Sequence, residues 1–136
     1  MKINKLLSLC IGSIFAVGLA HASTHCNDYE IKIVNKLDNE LMISKAQLIG
    51  AELQPKHEVR IAAHSSLVYT VSNTAIKKMK GEFVFKAISL PVRTIVLNLE
   101  LRNGLVHCDF DNKGIKNDGL AVSESHSSSE AVYTIG

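Results

Sequence analysis

The chain has 136 residues, 46% of them hydrophobic and 21% charged, with 5% aromatic residues and no tryptophan. That length and apolar content suit one domain with its own core and exclude a disordered chain. A formal net charge of +2 excludes a strongly basic protein held to nucleic acid by counterion release.

Residues 1–22 read as an export signal. Lys2 and Lys5 form a positive start, "LLSLCIGSIFAVGLA" over 6–20 is an uncharged apolar run, and "AHA" at 20–22 places small residues at a cleavage site before Ser23. The run falls short of the roughly 20 apolar residues that cross a bilayer as a helix. Cleavage after Ala22 leaves residues 23–136 as a single domain, and removes Lys2, Lys5 and Cys10. The mature chain then has 13 basic residues (15 − 2) against 13 acidic ones. Cys26 and Cys108 remain as a lone pair in an oxidising compartment, where a disulfide is expected. It closes a loop of roughly 80 residues, which on chain-entropy grounds stabilises the fold by about 4.5 kcal/mol.

The elements that follow read as strands. "YEIKIVN" (29–35) alternates apolar and polar residues until "KLDNE" breaks it. "LMISKAQLIG" (41–50) is a strand without a clear facing, and "AELQPKHE" a loop around Pro55. "VRIAAHSSLVYTVS" (59–72) gives two short strands bent at Ala63 to Ser65. "NTAIKKMKG" (73–81) reads as a connection with room for one helical turn, and "EFVFKAIS" (82–89) as a strand closed by Pro91. "RTIVLNLELR" (93–102) is the clearest strand; "LVHCDF" returns beside it. A loop containing "DNKGIKNDG" and the serine-rich "SESHSSS" (123–129) then leads to the closing strand "AVYTIG". Seven to nine short strands punctuated by turns predict an all-β fold, a small antiparallel, immunoglobulin-like two-sheet sandwich with one disulfide.

Asn103-Gly104 predicts a two-residue type I′ hairpin. In that register Leu101 faces Val106, Glu100 faces His107, Leu99 faces Cys108, Asn98 faces Asp109 and Leu97 faces Phe110. Leu97, Leu99, Leu101, Val106, Cys108 and Phe110 then share the apolar face, and Glu100 and His107 the wet one. Cys108 points inward, toward Cys26.

Signals for catalysis or metal binding are weak. "DFDNKGIKNDGL" (109–120) puts Asp109, Asp111 and Gly114 where a calcium loop has them, but Lys113 and Leu120 occupy ligand positions. His25, His57, His64, His107 and His126 follow no metal spacing. No nucleophile motif is present, and Ser127 to Ser129 beside His126 and Glu130 are too close in sequence to form a triad alone. No cofactor and no metal site are expected. Basic residues are concentrated between 77 and 102, where six Lys or Arg stand against Glu82 and Glu100. Lys77, Lys78 and Lys80, flanking Met79, are the candidate surface for anionic lipid or glycan.

The run "IAAHSSLVYTVSNT…KKMKGEFVFK", about a quarter of the chain, is distantly similar to secreted membrane-binding sandwiches of the aegerolysin type. That resemblance implies membrane association, here through the lysine-rich loop 76–81; the missing tryptophan and near-neutral mature charge depart from the family. The expectation is therefore a periplasmic or extracellular protein that binds a protein or glycan partner without catalysis. Membrane association is the alternative, and a hydrolase with a site no motif announces is the third reading.

Overall fold

A computed structural model describes residues 25–74 and 76–136, so the expected signal segment and its cleavage point lie outside the described residues. The strands are β1 (Glu30–Asn35), β2 (Leu41–Ile49), β3 (Glu52–Gln54), β4 (Arg60–Ile61) and β5 (Ser65–Ser72), followed by β6 (Lys78–Ala87), β7 (Arg93–Asn103), β8 (Cys108–Lys116), β9 (Val122–His126) and β10 (Glu130–Ile135). They form two five-stranded sheets, ordered β3-β5-β1-β10-β9 and β4-β2-β6-β7-β8. The two-sheet all-β sandwich is as expected, with ten strands rather than seven to nine, because β3 and β9 lie inside segments that read as loop. The pairing is antiparallel throughout except between β1 and β10, which run parallel side by side.

Alternation builds the core. Ile31, Ile33, Tyr69, Val71, Ala131, Tyr133 and Ile135 project from the first sheet, and Phe83, Phe85, Ile95, Leu97, Leu99 and Leu101 from the second. The unclear facing of β2 has a cause in the structure: a bulge between Ile43 and Lys45 resets its alternation, so that Leu41 and Leu48, an odd and an even position, both point into the core. His64 takes a left-handed conformation (φ 55°) at the bend expected between Ala63 and Ser65.

The β7–β8 hairpin departs from the expected register. Asn103 is the last residue of β7 and pairs with Cys108, Leu101 pairs with Phe110, and Leu99 with Asn112, leaving the four residues 104–107 as the connection. Neither Asn103 nor Gly104 adopts positive φ, so no type I′ turn forms. The reason is the Asn103 side chain, which is committed inward: its carbonyl oxygen accepts from the Cys26 backbone N–H at 2.8 Å and its amide donates to the Ile76 carbonyl at 2.9 Å. Glycine is needed at 104 for space, since a Cβ there would lie 2.7 Å from the His107 carbonyl oxygen. The expected and observed registers differ by four residues, an even number, so the facing of β8 survives and Cys108 points inward. Val106 does not; it lies on the connection, exposed.

Cys26 and Cys108 are disulfide-bonded across a sequence separation of 82. Other stretches read as connections are strand: 111–116 belong to β8, Val122–His126 form β9, and β6 begins at Lys78, inside the stretch expected as a connection.

Candidate functional site

One end of the second sheet collects the features that stand out. The termini of β2, β6, β7 and β8 meet there, as the pairs Ile49 with Lys80, Lys78 with Arg102, and Asn103 with Cys108 show. The 104–107 connection projects from this end with Leu105 96% and Val106 79% exposed. Ile76 and Ile49 are exposed nearby. The 76–77 segment is tied to the same tip, because the Asn103 N–H donates to the Lys77 carbonyl at 2.8 Å. Gly50 (φ 99°) packs against Ile76 so closely that a Cβ would sit 2.5 Å from its Cδ1. On the other flank a His25 ring nitrogen lies 3.2 Å from the Leu105 carbonyl oxygen, one residue from the disulfide. Lys77, Arg102, Leu105, Val106 and His107 line a shallow depression at the tip.

The cations fall beside these apolar groups for a simple reason of register. Lys78, Lys80, Glu100 and Arg102 lie on the outward face of β6 and β7, while their odd-numbered neighbours Met79, Leu99 and Leu101 fill the core. Glu100 was expected to be a wet residue opposite His107. It pairs instead with Asp111 and is almost fully covered, its carboxylate lying 3.7 Å from Lys78, 3.4 Å from Arg102 and 3.9 Å from Lys113. Lys113 also lies 2.9 Å from Asp111, holding that carboxyl below its usual range. Among the described residues neither Lys77 nor Lys80 forms an ion pair. Of the three candidate lysines, Lys77 lies in the connection at the tip, whereas Lys78 and Lys80 are in strand β6 rather than in a loop.

The histidines are dispersed. His64 bonds Asp38 (2.8 Å), His107 pairs with Asp109 (3.1 Å) rather than Glu100, and His126 bonds Glu124 (2.8 Å) while packing on Phe110. Among the described residues no group of three or more His, Cys, Asp or Glu is placed to share a metal ion.

Sequence reasoning missed the exposed aliphatic tip because Leu105 and Val106 were assigned to a returning strand. The signal that finds them is that Asn103 is worth more as an inward hydrogen-bonding group than as a turn residue, which requires knowing that Cys26 lies opposite.

No family model and no curated protein matches the chain. Among solved structures, the crystal structure of the RahU protein in complex with a Tris molecule is similar, with a TM-score of 0.53 and 12% identity over 83% of this chain and 96% of that one. The likeness is one of fold.

Proposed function

We propose that this is an exported, non-catalytic binding module whose working surface is the cystine-pinned end, and that the surface it engages is an anionic membrane. The observation that supports the reading is the exposed Leu105-Val106 pair at a hairpin tip, held beside Ile76 and flanked by Lys77 and Arg102, with Lys80 further along β6. Aliphatic groups at a rigid tip enter the headgroup region, and lysines beside them are attracted to anionic lipid. Burying Leu105 and Val106 is worth about 3–6 kcal/mol at most, so association is reversible, with a strength of roughly tens of micromolar to several millimolar. A disulfide is compatible with export.

Co-sedimentation with vesicles tests this. Binding should be weak to phosphatidylcholine alone, rise when phosphatidylglycerol is included, and fall with added salt. Binding insensitive to anionic lipid would remove the reading.

A protein partner is the second reading, and it draws on the opposite end of the same sheet. There Met42, Val59, Ile88, Val92 and the 98% exposed Leu90 are neighbours, joined by the Ile43 N–H to Val59 and Ile88 N–H to Glu40 hydrogen bonds. Arg60 pairs with Glu40 there at 3.4 Å, and Lys86, opposite Met42, and Arg93 lie at the same end.

A further inference from the structure

The sandwich is open along one side, where β2 leaves the second sheet and β3 joins the first. Ala46 is in phase with buried Leu48 and lies opposite buried Phe83, so its side chain belongs to the core face, yet it is exposed. Beneath it, Tyr69 from β5 packs its ring on Phe83 with centroids 5.2 Å apart. The resulting cleft has a volume of about 340 Å³. Ala46, Leu48, Leu53 and Pro55 wall it, with Tyr69 and Glu58 supplying polar groups. A larger residue at 46 would fill this space.

Tyr69 is 1% exposed, and among the described residues its hydroxyl, like that of Tyr133, has no hydrogen-bond partner. A buried unpaired hydroxyl costs about 1–3 kcal/mol, and of these two tyrosines Tyr69 is the one that lines this cleft. The Glu58 carboxylate faces the same opening: after burial itself, its charge is the second cause that pushes the Tyr69 hydroxyl up to about 12. Tyr69 is therefore a neutral donor at ordinary pH, and Glu58 an acceptor. The Lys56–Glu52 ion pair (3.0 Å), with Asn73 also donating to Glu52 (3.0 Å), braces one wall.

We propose that this cleft binds an uncharged, hydroxyl-rich ligand, a saccharide residue or a small polyol, held by the hydroxyl of Tyr69 and the carboxylate of Glu58. A hydroxyl accepts from Tyr69 while donating to Glu58, and an alcohol on an aliphatic carbon frame suits walls of alanine, leucine and proline. The volume is at the small end for ligand sites, the size of one or two sugar rings. The site shares no lining residue with the depression at the cystine-pinned tip, although Ile49 and Gly50 join the two, and it does not depend on the membrane reading.

The test is amide chemical-shift titration of the oxidised protein with methyl glycosides of glucose, galactose, mannose and N-acetylglucosamine, and separately with myo-inositol and glycerol. At least one probe should shift the amides of Leu48, Ala51 and Leu53 saturably, and the two arms distinguish a glycan from a free polyol. Tyr69→Phe should weaken that probe about tenfold without lowering thermal stability in ligand-free buffer, and Ala46→Leu should block it while leaving the Tyr69 hydroxyl in place. The proposal is overturned if no probe shifts these amides, if Y69F binds as well as the parent, or if Y69F melts lower without ligand, since the hydroxyl would then have a partner within the fold.

Discussion

The side-chain carbonyl of Asn103 accepts a hydrogen bond from the backbone N–H of Cys26, 77 residues away, at 2.8 Å. That bond, the disulfide beside it and the Asn103 amide to Ile76 fasten the start of the described chain, the 76–77 segment and the β7–β8 tip into one unit. Asn103→Ala leaves a buried donor and a carbonyl unpaired and should cost about 2–3 kcal/mol in urea unfolding. Asn103→Asp keeps the acceptor for Cys26 and should fall between. If N103A costs less than about 0.5 kcal/mol, a surface-like value, the tip is not anchored this way.

Removing the cystine should cost more. With a separation of 82 residues, the chain-entropy treatment gives about 4.5 kcal/mol for the double Cys26→Ser, Cys108→Ser variant, a large fraction of a small domain's stability. Guanidinium unfolding of the variant against the oxidised parent measures it, and equal midpoints would contradict the assignment of the bond as structural.

Alkaline titration should unfold the protein cooperatively. The chain has three tyrosines, and all three are buried. Burial raises each ionisation above the usual value of 10, with Glu124 contributing at Tyr29 and Tyr133 and Glu58 at Tyr69, which is pushed to about 12. Between the unfolded and folded values the native state holds more protons, so the stability these groups contribute is complete below about pH 10 and is lost as pH rises through the folded values. Tyrosinate absorbance near 295 nm should stay low until the far-ultraviolet signal collapses. Independent ionisation near pH 10 with the fold intact would show that the rings are accessible.

Gly50 offers a local test of how the tip is supported. It sits at positive φ and a methyl group would meet Ile76 Cδ1 at 2.5 Å. Gly50→Ala should cost about 1–3 kcal/mol, and adding Ile76→Ala should recover the part due to collision, leaving the part due to backbone conformation. A null effect of G50A in thermal melts would show that Ile76 is not held against this turn.

What could be read from the chain followed the physics of alternation. Period-two patterns in 29–35, 82–87 and 93–102 predicted β1, most of β6 and β7, and their facing was right because one face of each must reach the core. Register was harder. Asn103-Gly104 carries a strong turn signal, and only the long-range partner at Cys26 overrides it. The facing of Cys108 survived because the displacement was even. The part of β8 from Asp111 onward and the serine-rich β9 were read as loops because they are sheet edges rich in Asp, Asn, Gly, Lys and Ser; such composition protects an exposed edge as readily as it marks a loop. The lysine cluster was legible as composition, but its neighbours were not: the exposure of Leu105, Val106 and Ala46 depends on which side chains from distant strands fail to cover them.

The most direct test of the membrane-facing tip is vesicle co-sedimentation of matched variants from opposite ends of the second sheet, on vesicles containing phosphatidylglycerol. Leu105→Ser with Val106→Ser should abolish binding and leave thermal stability essentially unchanged, because both side chains are solvent-exposed, while Leu90→Ser should bind like the parent. Retained binding by the tip variant, or its loss on changing Leu90 alone, would place the contact elsewhere and contradict the account.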